Sequence, residues 1–120
     1  MTALKVGIAS YEQIKARTLA IARGELKPRP GDPKVWFTSL ESFAKVLSEG
    51  NRELLKIIAE KAPSSLDELA KLSGRRKSNL SRTLKTMESY GLLRLERGER
   101  GRVAAKLSHD SVALDLQLAS

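Results

Sequence analysis

Two glycines, Gly74 and Gly91, bracket a stretch in which Leu80, Leu84 and Met87 recur at spacings of four and three. Such a stripe marks a helix with one buried face, and glycine is the residue that most readily ends a helix in the left-handed conformation. Ahead of this helix, Ser65-x-x-Glu68 reads as a capping box, opening a shorter helix that turns Leu66, Leu69, Ala70 and Leu72 inward and stops at Gly74. The longer helix then begins between Arg76 and Ser78 and runs to Tyr90. Behind it, Leu92 to Arg97 and Arg102 to Leu107 are strand-like runs, and Gly98-Glu99-Arg100-Gly101 between them makes a hairpin tip. Helix, short turn, helix and hairpin follow one another with no room for a long loop. Few arrangements satisfy that order.

The rest of the chain must support this unit. Leu4, Val6 and Ile8 alternate with Lys5 and Gly7, the period of a half-buried strand. Ser10 to Gln13 forms a capping box for a helix to about Arg23, with Tyr11, Ile14, Thr18 and Ile21 on one face and Gly24 as its stop. Pro28, Pro30, Gly31 and Pro33 make a stiff connector. Val35-Trp36-Phe37 is a short extended piece, with Trp36 expected in the core. Thr38-x-x-Glu41 reads as a further capping box, for a helix with Leu40, Phe43, Ala44 and Leu47 in one stripe, closed by Gly50. Asn51 is expected to cap the next helix, to about Lys61. Val112, Leu114, Leu116 and Leu118 give a final strand period. The simplest expectation is that the two terminal strands pair and cover an edge; pairing across a dimer or with a partner chain are the alternatives.

The chain thus divides into residues 1–34, an N-terminal strand–helix extension with its Pro-rich connector; residues 35–107, the helical unit with its hairpin; and residues 108–120, a C-terminal strand and tail. The expected class is α+β. With 41% apolar and only 4% aromatic residues, the core is built from Leu, Ile, Val and Ala. No cysteine is present, which removes disulfides, thiolate metal sites and cysteine nucleophiles. No membrane span or secretory leader is legible, and a cytoplasmic location is expected.

Charge is concentrated. Between Gly74 and Lys106 lie ten basic and three acidic residues, a surplus of +7; elsewhere twelve basic residues meet eleven acidic ones. A surplus gathered on one helix and the hairpin after it fits a polyanion-binding surface better than a scattered one does.

Two helices joined by a short Gly-containing turn, the second turning polar and basic residues outward, form a helix-turn-helix unit. The major groove of duplex DNA admits one such helix. With Leu80, Leu84 and Met87 inward, Ser78, Asn79, Ser81, Arg82 and Lys85 face outward. Asn suits an adenine edge, Arg a guanine edge, and Ser or Lys the phosphates. Arg75, Arg76 and Lys77 precede this face and suit phosphates. Arg97, Arg100 and Arg102 at the hairpin suit phosphates or a minor groove.

Ser65-Leu66-Asp67-Glu68-Leu69-Ala70, Ser78-Asn79-Leu80-Ser81-Arg82-Thr83-Leu84 and Gly91-Leu92-Leu93 together resemble the winged helix-turn-helix of bacterial and archaeal transcription regulators, the MarR-like and ArsR-like groups above all, over about residues 39 to 107. With Lys5-Val6-Gly7-Ile8 and Trp36-Phe37-Thr38-Ser39-Leu40-Glu41-Ser42 added, the whole chain is similar to a small prokaryotic family of DNA-binding regulators and antitoxin components. The resemblance implies operator binding by a homodimer. Strand-like ends in place of long terminal helices mean that the MarR-like mode of dimerisation does not carry over.

The expected function is a sequence-specific, double-stranded-DNA-binding regulator, a repressor of transcription that also acts on its own promoter. Two alternatives stand beside it: an antitoxin that binds DNA and a cognate toxin protein, and an RNA-binding or protein-scaffolding module. No enzyme, metal site or cofactor is expected. His109 is the sole histidine, adjacency to Asp110 makes no catalytic pair, and neither a His-Glu-x-x-His helix nor a Gly-Lys-Ser/Thr loop occurs.

Overall fold

The computed structural model describes residues 3–118. The two end strands are β1 (Ala3–Ile8) and β5 (Ser111–Leu116), and they pair in parallel from Ala3 opposite Ser111 to Ile8 opposite Leu116. A third strand, β2 (Val35–Phe37), joins the other side of β1, also in parallel, so the sheet order is β2-β1-β5. Pairing of the terminal strands is thus present. The last two residues of the expected C-terminal tail and the two residues before Ala3 lie outside the described residues.

Parallel strands need a crossover, and α1 (Tyr11–Ala22) with the Pro-rich segment supplies the one between β1 and β2. Its capping box is complete: Ser10 Oγ accepts from Gln13 N at 3.1 Å, and Gln13 Oε1 accepts from Ser10 N at 2.9 Å. The apolar stripe expected along α1 is not a core face, since the helix contains no buried residue and Tyr11 is 69% exposed. Ile14 and Ile21 are half-buried, and polar contacts add to the attachment of the helix. Arg17 reaches Asp32 at 3.0 Å and lies 5.7 Å from the centre of the Trp36 ring. Trp36, expected in the core, is half-buried on the sheet face opposite Val6 and Phe37, where its ring covers Gly7. A Cβ on Gly7 would fall within 2.6 Å of Trp36 Cε3, so only glycine fits beneath the indole.

Three helices follow: α2 (Leu40–Val46), α3 (Glu49–Lys61) and α4 (Leu66–Ser73). Serines cap all three, one residue from the expected place in α2 and three residues from it in α3. Ser39, not Thr38, caps α2, its Oγ accepting from Ser42 N at 3.1 Å; Thr38 lies at the bend between β2 and this cap. Ser48, not Asn51, caps α3. Gly50 therefore lies inside the first turn of α3 rather than closing α2, and Asn51 Nδ2 is released to donate to Val46 O at 3.0 Å. Ser65 caps α4 as expected. The reciprocal bond is displaced: the Glu68 carboxylate accepts from Ser64 N at 3.0 Å and Ser64 Oγ at 2.8 Å. Those two donors hold the Glu68 carboxyl below its ordinary value, the backbone amide having the larger effect.

The remaining elements are α5 (Lys77–Ser89) and an antiparallel hairpin of β3 (Leu93–Arg97) and β4 (Val103–Leu107). One apolar cluster holds the whole together, running from Leu4 and Val6 on β1 through Phe37, Leu54, Ile58 and Leu69 to Leu80, Leu84, Met87, Leu93 and Ala105. The protein is a mixed α/β structure, with helices packed between a parallel sheet and a hairpin.

Candidate nucleic-acid interface

The turn between α4 and α5 is three residues long. Gly74 adopts φ +74° and its N–H returns to Ala70 O at 2.9 Å, so the chain leaves α4 in a conformation that costs other residues about 1–2 kcal/mol. Arg75 turns back into the fold, where Nη1 donates to Asn51 Oδ1 at 3.0 Å. Since Asn51 also donates to Val46 O, this one amide ties the turn to the junction of α2 and α3. Arg75 is half-buried; Arg76 is exposed and occupies the N-cap position of α5 without capping it.

The Arg76 side chain makes no capping bond to the first N–H groups of α5, and no acidic residue lies in the first turn of the helix. Those groups, with the helix dipole behind them, leave a positive end beside Arg76 and Lys77. Lys77 is drawn to Asp67 on α4 at 3.2 Å, an exposed pair. Along the helix, Leu80, Leu84 and Met87 are fully buried, while Ser78, Asn79, Arg82 and Lys85 are exposed and Ser81 is half-buried. The outward face expected from the stripe is therefore the face that meets solvent.

The chain leaves α5 through Gly91, at φ +81°, and Leu92 N donates to Met87 O at 3.1 Å while Gly91 N donates to Glu88 O at 2.9 Å. This pair of bonds closes the helix and sends β3 directly off its end. Glu88 is turned the same way, its Oε2 accepting from Leu95 N at 2.8 Å. On β3, Glu96 is held by Arg94 at 3.0 Å. Two of the three acidic residues in the basic segment are thereby engaged locally. Among the described residues, Arg82, Lys85, Arg97, Arg100 and Arg102 form no ion pair, and all five are exposed. Arg97 and Arg102 flank the tip, where Gly98 N donates to Arg102 O at 2.7 Å, and Arg100 stands at its apex with φ +58°.

Of the expected site residues, Arg82, Lys85, Ser78 and Asn79 share the exposed face of α5, and the three hairpin arginines cluster at one tip. Arg75 has a definite partner within the fold.

One concavity had no sequence signal. A cavity of about 720 Å³ lies between α2, α3 and the outer ends of β4 and β5, walled by Phe43, Leu47, Leu55, Leu92, Leu107 and Val112. Arg52, Lys56, His109 and Asp110 also line it. Its walls come from four separate stretches of the chain, so no local pattern announces it. Among the described residues no cluster of His, Cys, Asp and Glu could hold a metal ion, and no helix is long and apolar enough to cross a membrane.

No curated protein and no solved structure matches the chain. A family model does match, over residues 46–113, a span that begins at the end of α2 and contains α3, α4, α5 and the hairpin. Covering more than half of the 120 residues, that match makes the chain a member of the HVO_A0114 family.

Proposed function

We propose that this protein is a winged helix-turn-helix regulator that binds duplex DNA as a homodimer and represses transcription. The observation that carries the reading is the exposed face of α5. It presents Ser78, Asn79, Arg82 and Lys85 opposite a fully buried Leu80-Leu84-Met87 stripe, with no acid in its first turn. A helix that packs on one side and offers donors on the other meets what the major groove demands. The β3–β4 hairpin, leaving α5 through Gly91, supplies Arg97, Arg100 and Arg102 as the wing, for the backbone or the minor groove. One such helix reads few base pairs, and paired half-sites supply the rest of the specificity.

The test is binding to the DNA upstream of the protein's own gene and to scrambled duplexes, as a function of salt. Affinity is expected to fall steeply with salt on both. Arg82→Ala is expected to cost about 1–3 kcal/mol on the cognate duplex and less on the scrambled ones. A loss identical on every sequence would reduce Arg82 to a phosphate contact, and equal affinity for single-stranded RNA would overturn the duplex reading.

A further inference from the structure

The two edges of the parallel sheet are finished differently. On one side β2 is only three residues long and is preceded by Pro33 and Lys34, devices that blunt an edge against further pairing. On the other side β5 is six residues long, and residues 111–118 contain no Lys, Arg or Pro. Its register on β1 sets Leu114 beside Val6 and Leu116 beside Ile8, on the face that the core covers. Val6 is 1% exposed, but Leu114 and Leu116 remain 41% and 44% exposed. The core-facing side of the sheet therefore runs on past its own cover, and the apolar wall of the cavity, through Val112, runs into it.

We propose that β5 pairs antiparallel with β5 of a second copy about a two-fold axis at Leu114, joining the two sheets into one. Direct opposition across that axis sets Val112 against the partner's Leu116 and Leu114 against the partner's Leu114, all on the core-facing side. On the other side Asp115 meets the partner's Ala113, and behind that alanine in the same row stands the partner's Lys5, which is Ala113's neighbour on β1. Two strand spacings, about 10 Å between backbones, lie within reach of a lysine and an aspartate side chain once Lys5 Nζ leaves Gly31 O, to which it donates at 3.4 Å within one copy. The symmetry makes this pairing twice. Neighbouring registers are worse: an axis at Asp115 opposes two carboxylates, and an axis at Ala113 sets Leu116 against the partner's Asp110. Charge also favours this edge for self-association. Each copy carries +8, and β5 contributes only Asp115, so two copies meet where they repel least. The proposal shares the homodimer with the DNA-binding reading, but stands on the sheet edge and is tested without DNA.

Sedimentation equilibrium at micromolar concentration is expected to give twice the 13.2 kDa chain mass for the wild type. Leu114→Lys, which sets two ammonium groups against each other across the axis, is expected to sediment as a monomer with an unchanged circular dichroism spectrum. Asp115→Lys is expected to weaken association several-fold, and Lys5→Asp added to it to restore the dimer; this pair decides the matter should Leu114→Lys fail to fold. A monomeric wild type, a dimeric Leu114→Lys, or a double variant as weak as Asp115→Lys alone would each overturn the proposal. So would a monomer that engages β5 only with a different protein. Loss of duplex binding alongside an intact dimer would count against the DNA reading and leave this one standing.

Discussion

Arg75 Nη1 donates to Asn51 Oδ1 at 3.0 Å, across 24 positions of sequence. Through this bond the turn that launches α5 is fixed to the start of α3, and Gly50 is the floor on which the guanidinium lies: a Cβ there would stand 3.3 Å from Arg75 Nη2. Asn51→Ala would strip a partner from both Arg75 and Val46 O. The expected cost is about 1–3 kcal/mol, read by urea unfolding. Duplex affinity is expected to fall with no change in salt slope, since no phosphate contact is removed. A changed slope would mean that Arg75 itself had moved on or off the nucleic acid.

Phe37 links the sheet to the far end of α5. Its ring stacks on Tyr90, centroids 4.4 Å apart and planes 21° from parallel, and meets Phe43 edge-on at 5.4 Å. In a chain with few aromatics, these three tie β2, α2 and the C-terminus of α5 together. Phe37 is 4% exposed, so Phe37→Ala is expected to destabilise by about 3–5 kcal/mol. Leu116→Ala, on an exposed strand, is expected to cost far less in the dilute monomer. Chemical denaturation of both checks the contrast.

Much of this was legible beforehand because it is local. The Leu80-Leu84-Met87 stripe, the Gly74 and Gly91 stops and the alternation in β1 and β5 each depend on neighbours a few residues away. Each appears where the spacing placed it, except that β5 ends at Leu116 and leaves Leu118, the last residue of its expected alternation, outside the strand and 94% exposed. The caps of α2 and α3 differ from the expected ones because Thr38 competes with the better-capping Ser39, and Asn51 with the nearby Ser48 of similar ability. The chain direction entering each helix decides between them. The stripe on α1 is only half covered, with Ile14 and Ile21 half-buried and Tyr11 and Thr18 exposed, because periodicity records which residues share a face, not how much lies against it. Arg75's bond to Asn51 and the cavity behind Val112 join distant segments, and neither leaves a trace in local spacing.

Gly7→Ala tests the closest approach in the sheet. The added methyl collides with the Trp36 ring and with Pro33 Cγ at 3.0 Å, both parts of the segment that carries β2. Overpacking of this kind is expected to cost about 1–3 kcal/mol. Quenched or shifted tryptophan fluorescence in the folded variant would report displacement of the indole, whereas a spectrum and stability equal to wild type would place the ring elsewhere.

Asp32 gives the protein an acid-sensitive attachment. One oxygen, Oδ2, accepts from Arg29 N at 2.8 Å and from Arg17 Nη2 at 3.0 Å, and these bonds, the backbone one first, hold its carboxyl below the ordinary value. The group thus contributes stability at pH above its unfolded-state value, and that contribution is lost as pH falls through the lower, folded-state value. Asp32→Asn is expected to lower the melting temperature at neutral pH and to flatten its decline toward acid. Parallel melting curves for variant and wild type across the acid range would contradict the assignment.

Arg100 separates stability from binding at the hairpin tip. Its φ of +58° belongs to the left-handed region, which costs a side-chain-bearing residue about 1–2 kcal/mol and glycine almost nothing. On the proposed DNA-binding reading, the charge at this apex contacts the duplex. Arg100→Gly is therefore expected to raise stability by about 1 kcal/mol while it weakens duplex binding and reduces the salt slope by about one. Arg100→Ala is expected to weaken binding as much without the gain in stability, because alanine keeps the strained backbone. Thermal unfolding and salt-dependent binding of the two variants, measured side by side, read both effects. A glycine variant that binds as well as wild type would remove the tip from the interface and leave the face of α5 to account for the affinity alone.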